Sequence, residues 1–478
     1  MEDALNKDSS KTLNSIQSRF HHTSDLMSRD LYIIEKKRIT IVYIDGIINT
    51  DYLRDSVIEP ITNGFKNINE GNHLIQQLTR IVTNPNYKIT KSLQEVIDEL
   101  IYGKAILLVD GYTEALVVDI AEWKERALEE SLGERSVRGN VVGLTERAKT
   151  NISILRGIIK TENFCIDKQS LGSKSKNDVF ILYIDDIVDK QILADIQNKL
   201  KKLNIKYLLE ARIIQESLAS HPKTIFPRTL STERPDVAAS ALFEGRVVII
   251  VDGSPQVIIA PSLFMEFLHA PDEYYTSYGR FSGRLIRLLA FLLTILLPGI
   301  YLALEGLGQE NVPKKVYDIL VSEEEILPTV WELVFLLILL RILLDSSFRV
   351  PKGAVLLISV LGSVLLGQTA VAAKIIHPVS LLVVGISFIA SFTMGNKGLS
   401  PTLNVLVTSF IIIGYHFQFM GIIVGLTLLL LYMTNLKSFG VPYLSPLLPF
   451  RHREFKDSLY RGDLETLINS EHNYPNHN

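Results

Sequence analysis

The sequence predicts an α/β cytoplasmic region with two similar subdomains, followed by an all-α polytopic transmembrane bundle. Three observations carry this. Charge is unevenly spread: residues 1–280 hold acids and bases at ordinary globular density, whereas 285–436 are dominated by Leu, Ile, Val, Gly and Ser. Strand-like blocks in the first part recur at a nearly constant offset. The second part contains several apolar stretches close to the ~20 residues that a spanning helix needs.

The 478 residues are 47% hydrophobic with a net charge of -3, and the mean hydropathy is +0.22. Nearly balanced charge argues against a nucleic-acid partner. The single cysteine, Cys165, rules out an intrachain disulfide and a cysteine metal cage. Residues 1–30 read as a polar tail leading into a helix. They contain no apolar core of a secretory signal, which predicts that the first region stays in the cytoplasm.

RITIVYIDGIIN (38–49) is a β-branched apolar run ending in turn chemistry at Asp45-Gly46, as a buried strand should. A helical stretch, TDYLRDSVIEPI, follows. KAILLVDGYTEALVVDI (104–120) reads as two short strands divided by Asp110-Gly111, as in a hairpin. Residues 122–159 are charged and helical, with a glycine-rich break at 139–143. A polar linker, DKQSLGSKSKND, then leads to DVFILYIDDIVD (178–189), the helical DKQILADIQNKLKKL, and GRVVIIVDGSPQVIIAP (245–261). Tyr183 follows Tyr43 by 140 positions and Asp252 follows Asp110 by 142, so the register predicts an internal duplication. The boundaries read as 31–160 for subdomain 1 with its helical linker, 161–280 for subdomain 2, 281–436 for the membrane bundle and 437–478 for a cytoplasmic tail.

LIRLLAFLLTILLPGIYLAL (285–304) is the first predicted span, with a kink expected at Pro298-Gly299. Arg280, Arg284 and Arg287 crowd its start and mark the cytoplasmic membrane boundary. Residues 326–348 carry Glu332, Arg341 and Asp345; they fit either a span facing protein or a helix at the interface, with Arg341 and Asp345 spaced to pair. Residues 353–376 read as a span rich in small and polar residues, among them Ser359, Gly362, Ser363, Gly367 and Gln368. These five are the pore-lining candidates. A further span is expected at 377–394. The apolar run 403–436 is either one strongly tilted helix or two helices that break at His416-Phe417-Gln418. Basic residues beyond 436 place the tail in the cytoplasm, which requires an even number of spans, four or six.

Chemical signatures are sparse. No phosphate loop, zinc helix, serine elbow or CxxC pair is present, so an enzyme is not expected. Asp45, Asp110, Asp185 and Asp252 resemble a carboxylate set, but each sits beside turn residues, where Asp fixes the turn. Glu233-Arg234-Pro235-Asp236 reads as a helix start, with proline in the first turn and acids near the positive dipole end. His377 before Pro378 reads as a boundary residue, while His416 and Gln418 suit a polar break that serves ions. No metal or cofactor is expected.

The blocks STERPDVAASALFEGRVVIIVDGSPQVIIAPSLFMEFLHAPDEYY (231–275), LLPGIYLAL (296–304), LGQTAVAAKIIHP (366–378) and SFGVPYLSPLLPF (438–450) resemble the A-subunit type of the GerA spore germination family. TSDLMSRDL, LYIIEKKRITIVYIDGIIN, VRG (137–139) and GLTERAKTNISILR (143–156) are similar to family motifs too. VRGNVVGLTER departs from the family's VRGPxxGFTE, losing a proline and an aromatic. The resemblance implies one component of a nutrient germinant receptor in the inner membrane of bacterial spores. The implied partners are further copies of the chain, a transporter-like B subunit, a lipoprotein C subunit and membrane lipid. It implies a ligand-gated channel for monovalent cations; a non-conducting scaffold assembled through the α/β domains is the alternative. A secondary transporter would want inverted membrane repeats, and the repeat here lies outside the membrane region.

Overall fold

A computed structural model describes residues 4–32, 37–64, 74–123, 143–219, 224–269, 282–308, 313, 315, 317, 319, 327–347, 368–394 and 397–450. The described chain forms two compact units, one from residues up to 219 together with 229–261, the other from 224–228 and 262–450.

The first unit contains the predicted duplication. Its first repeat runs α1 (Ser9–Arg19), β1 (Leu26–Tyr32), β2 (Arg38–Ile44), α2 (Thr50–Leu53), a π turn, α3 (Glu59–Gly64), α4 (Leu74–Ile81), β3 (Tyr87–Thr90), α5 (Leu93–Ile101), β4 (Lys104–Val109) and β5 (Ala115–Asp119). The second runs α6 (Ala148–Ile158), β6 (Phe164–Leu171), β7 (Asn177–Ile184), α7 (Lys190–Lys201), α8 (Ala211–Ala219), β8 (Leu230–Thr232), α9 (Pro235–Phe243), β9 (Val247–Val251) and β10 (Val257–Ala260). Each repeat makes a five-stranded sheet, in the order β1-β2-β4-β5-β3 and β6-β7-β9-β10-β8. The two orders are the same once the second set is renumbered, and the paired strands of both sheets are antiparallel.

The central strands are apolar on both faces because helices cover both. In the first sheet, Ile39, Ile41, Ala105, Leu107, Leu116 and Val118 pack against Val57, Leu74 and Leu78. The alternate residues Val42, Ile44, Ile106, Leu108 and Val117 pack against Ile16, Phe20, Val96 and Leu100. An antiparallel sheet buried on one face would alternate; this one reads as continuous apolar runs.

The repeats begin earlier than expected. The helix expected after the polar start is α1, already at Ser9–Arg19, and the edge strand β1 begins at Leu26, before the expected boundary at 31; α6 leads the second repeat. The predicted linker at 167–178 is a correction as well: its first half lies in β6, which pairs with β7 along its whole length. Edge strands carry polar side chains where one side meets water, and Lys168 and Ser170 are exposed there. The division between units falls at 261/262, ahead of the expected 280/281.

The second unit contains α10 (Ser282–Gly306), α11 (Thr329–Ser347), α12 (Gln368–Ala372), α13 (Pro378–Phe392), α14 (Ser400–Asn435) and a two-residue ladder, β11 (Lys437–Ser438) with β12 (Val441–Pro442). Among the described residues, two helices are long and apolar enough to cross a membrane by length and composition, Gly283–Gly306 and Ser400–Asn435. The region expected at 353–376 is described from residue 368, where α12 ends at Ala372 and a turn follows. The span expected at 377–394 is a helix of 15 residues, about 22 Å long at 1.5 Å per residue, shorter than the ~30 Å hydrocarbon layer.

Candidate functional site

The helical unit holds polar side chains at spacings that follow from its sequence. Pro298 stands inside α10 and has no N–H, so the carbonyl of Thr294 loses its helical donor. Ser387 of α13 supplies one: its Oγ donates to the Thr294 carbonyl at 2.8 Å. In return Thr294 Oγ1 donates to the carbonyls of Ala290 at 2.7 Å and Ser387 at 3.3 Å. Two turns further along α10, Ser380 Oγ and Tyr301 Oη lie 3.3 Å apart. Positions 294 with 387 and 301 with 380 fix α10 and α13 as antiparallel.

At the end of α10 the polar groups become acidic. Thr329 Oγ1, at the start of α11, donates to Glu305 Oε1 at 2.8 Å. One turn on, Glu332 is fully buried, and its Oε2 accepts the backbone N–H of His377 at 3.0 Å. His377 is the N-cap of α13 and its Nδ1 accepts the Val379 N–H at 3.2 Å.

The long run after residue 400 resolves into two arms. Gln418 has φ 51° and ψ -145°, outside the helical region. Gly425 lies against Phe410 and Ile413, and Gly421 against Ile413, contacts that a straight helix cannot make over 12 or 15 residues. Thr402 Oγ1 donates to the Ile225 carbonyl, while Tyr432 Oη and Thr224 Oγ1 are 2.7 Å apart. The arms 400–417 and 419–435 thus run antiparallel and return to the same end. Of the two alternatives, the break at Gln418 is the one seen. Its Nε2 donates to the Gly306 carbonyl at 2.7 Å, satisfying a helix-terminal acceptor of α10. His416 is exposed between Tyr415 and Phe417. Where α10 crosses the first arm, a Cβ at Gly299 would stand 2.5 Å from the Phe410 carbonyl oxygen, so glycine sets the approach of the two backbones.

At the opposite end, the block 438–443 forms a clasp. Ser438 Oγ donates to the Arg228 carbonyl at 2.7 Å and Tyr443 Oη to that of Pro227 at 2.8 Å. Phe226, Phe264 and Tyr443 stack within 6.4 Å of one another. Arg287 Nη1 donates to the Leu268 carbonyl at 3.1 Å, and Arg284 is buried. Arg280 lies outside the described residues. Arg341 and Asp345 pair as spaced, at 3.5 Å, with both side chains 56% exposed. Among the pore-lining candidates, Gln368 opens α12 and is exposed, whereas Ser359, Gly362, Ser363 and Gly367 lie outside the described residues.

In the first unit two of the four aspartates cap helices and two pair with lysines. Asp110 Oδ1 accepts the Ser9 N–H at the start of α1 (3.2 Å), and Asp252 Oδ1 accepts the Ala148 N–H at the start of α6 (3.0 Å). Asp45 pairs with Lys149 at 2.8 Å and Asp185 with Lys190 at 2.5 Å. Glu233-Arg234-Pro235-Asp236 is a helix start: Arg234 is the N-cap of α9, Pro235 its first residue, and the Arg234 guanidinium grips Asp236 through two bonds of 3.1 and 2.6 Å. Glu233 gives its carbonyl to the Leu144 N–H at 2.6 Å, which ties this block to the GLTER stretch.

One residue pair escaped the sequence reading. Arg156 of α6 is 2% exposed and makes two 2.9 Å bonds to Asp25, just before β1. Thr23 Oγ1 donates to Asp25 at 2.7 Å and accepts the Ile166 N–H at 3.0 Å. A lone Asp in a polar segment and a lone Arg in a helix gave no signal of pairing across 131 positions. Burial pushes the Cys165 thiol up to about 12, so the sole cysteine is inert.

The model of the GerA spore germination protein of Bacillus and Clostridium matches residues 14–472. The chain belongs to the GerA family. GerA relatives include spore germination protein KA of Bacillus subtilis (strain 168), 32% identical over 94% of this chain and 84% of its own length. Spore germination protein B1 of the same organism is 29% identical over 96% of this chain and 95% of its own. Among solved structures, the N-terminal domain of the A subunit of the Bacillus megaterium spore germinant receptor GerK3 is 29% identical, covers 55% of this chain and 97% of its own, and superposes with a TM-score of 0.44. The family is one of germinant receptor A subunits, which the motif resemblance implied.

Proposed function

We propose that this GerA-family chain is the A subunit of a nutrient germinant receptor and forms, as a homo-oligomer in the inner spore membrane, a gated channel that releases monovalent cations at the start of germination. It works with a transporter-like B subunit and a lipoprotein C subunit. The observation that carries the conducting role is the line of polar groups through apolar helices: Glu332, then Tyr301 with Ser380, then Thr294 with Ser387. A pure anchor has least use for the fully buried acid among them, Glu332.

The antiparallel α10 and α13 and the two returning arms of α14 support an even number of passes, four or six. With the arginines at 284 and 287 on the cytoplasmic side, the first unit is cytoplasmic and so is the tail. The pore-lining candidates are Ser359, Gly362, Ser363, Gly367 and Gln368, in the small-residue stretch 353–376.

Reconstituted receptor complex should conduct monovalent cations on nutrient addition. Gly362→Leu or Ser363→Asp should change that flux by severalfold while the complex still assembles. Unchanged flux in both variants would remove this stretch from the pore, and an assembled complex without any conductance would favour the scaffold.

A further inference from the structure

Two exposed patches of opposite charge stand on different repeats of the first unit. The basic patch forms in the second repeat, where the turn between β6 and β7 meets the chain that follows α7. There the Lys174 N–H donates to the Lys206 carbonyl and the Leu208 N–H to Ser175 Oγ, both at 3.0 Å. Lys202 is the C-cap of α7, next to Lys201. Lys174, Lys176, Lys201, Lys202 and Lys206 are thereby gathered at one end of the repeat, and all are exposed. Two other lysines of this stretch are spent in ion pairs, Lys168 with Asp178 and Lys199 with Asp195. Tyr207 and Leu209 are more than half exposed beside the five, and Lys174 Nζ lies 5.8 Å from the centre of the Tyr207 ring.

The acidic patch lies on the first repeat, along α2, the π turn and the start of α3. Asp51, Asp55 and Glu59 share the guanidinium of Arg54, at 3.2, 2.8 and 4.0 Å, and stay at least 59% exposed. Three carboxylates on one guanidinium leave a net negative face, with Tyr52 exposed on it. Among the described residues, the ion pairs around each patch stay within its own repeat. Like charges crowded within a Debye length of ~8–10 Å repel one another, and a surface of opposite charge relieves that.

We infer that the lysine face of the second repeat docks on the α2–α3 acidic face of the first repeat in another copy of this chain. This rests on the homo-oligomer proposed above and specifies which surfaces of the α/β repeats meet in it. The two faces differ, so the contact is head-to-tail and each copy offers one of each. A contact of that kind generates a ring when its rotation closes. Tyr207 and Leu209 supply an apolar centre. The exposed charges around them steer encounter and fix register more than they add affinity.

Cysteine pairs in the full chain in membranes test the contact, with Cys165 buried and silent. Asp51→Cys and Lys202→Cys chains with different tags, made together, should be joined by a short bismaleimide. Neither variant alone should be joined to itself. Adding Lys201→Glu and Lys206→Glu to the Lys202→Cys chain should lower the yield severalfold, as should added salt. Asp55→Lys with Glu59→Lys in the other chain should restore it. Subunit counting by single-molecule photobleaching separates the two readings. A wild-type oligomer whose cysteine pair is never joined overturns this contact and leaves the homo-oligomer; a monomer overturns both. Joining of Lys202→Cys to itself makes the contact two-fold and overturns head-to-tail docking. A spin label at Leu209→Cys that enters the bilayer when anionic lipid is added, with the cysteine pair unjoined, assigns the lysines to lipid and overturns it too. If a charge-reversed chain does not fold, the cysteine pair without reversals still decides.

Discussion

At the residue scale, the decisive interactions are those that satisfy a buried polar group with a partner distant in sequence. Arg156 and Asp25 are such a pair, joining the lead-in of the first repeat to the first helix of the second. Removing one member leaves the other charged and buried, which typically costs about 3–5 kcal/mol. Arg156→Ala should therefore lower the urea midpoint of the first unit's unfolding transition in the full chain, whereas Asp25→Leu with Arg156→Met should recover most of the loss. Equal midpoints for Arg156→Ala and wild type would show the pair to be idle. The proline of 233–236 opens a helix as read, because that effect acts within a few positions. The aspartates beside glycine read as turn residues, whereas Asp110 and Asp252 also cap helices 101 and 104 positions away. Roles set by a partner more than 100 positions away were not legible.

At the scale of elements, the central strands and most helices could be read from their apolar runs, but β1 and β6 could not. Both are sheet edges with polar faces, and their composition is that of a loop. What marks them is pairing with β2 and β7, which only the assembled sheet reveals. The same limit applies to the α10–α13 contact. A proline inside an apolar helix announces a free carbonyl four residues earlier, but nothing in the sequence names Ser387 as the donor that fills it. Ser387→Ala should destabilise the helical unit by about 0.5–1.7 kcal/mol, the range of interhelical bonds in membranes. In a Pro298→Ala background the Thr294 carbonyl regains a helical donor, so the same substitution should cost less. Unfolding in mixed micelles for all four variants gives the coupling; a coupling of zero would mean that Ser387 serves some other purpose.

At the scale of the whole molecule, the proposed multi-pass arrangement is tested most directly at α14. A single 36-residue helix would measure about 54 Å, nearly twice the hydrocarbon thickness, and would leave its ends on opposite sides. Folded at Gln418, each arm is about 25–27 Å and both ends share a side. The difference is measurable because Cys165 is buried and its thiol is pushed up to about 12, so the wild-type background is silent to thiol reagents. Single cysteines at Ser400 and Asn435 should react with a membrane-impermeant maleimide from the same side. A cysteine at Phe417, 67% exposed beside the fold, should react from the other side. Labelling of all three from one side would place the arms outside the bilayer. Labelling of Ser400→Cys and Asn435→Cys from opposite sides would restore one tilted helix, leave an odd number of passes, and move the tail away from the compartment of the α/β repeats. Same-side labelling of the two ends, with Phe417→Cys opposite, fits only the folded arms, because no straight helix brings positions 35 residues apart back to one surface.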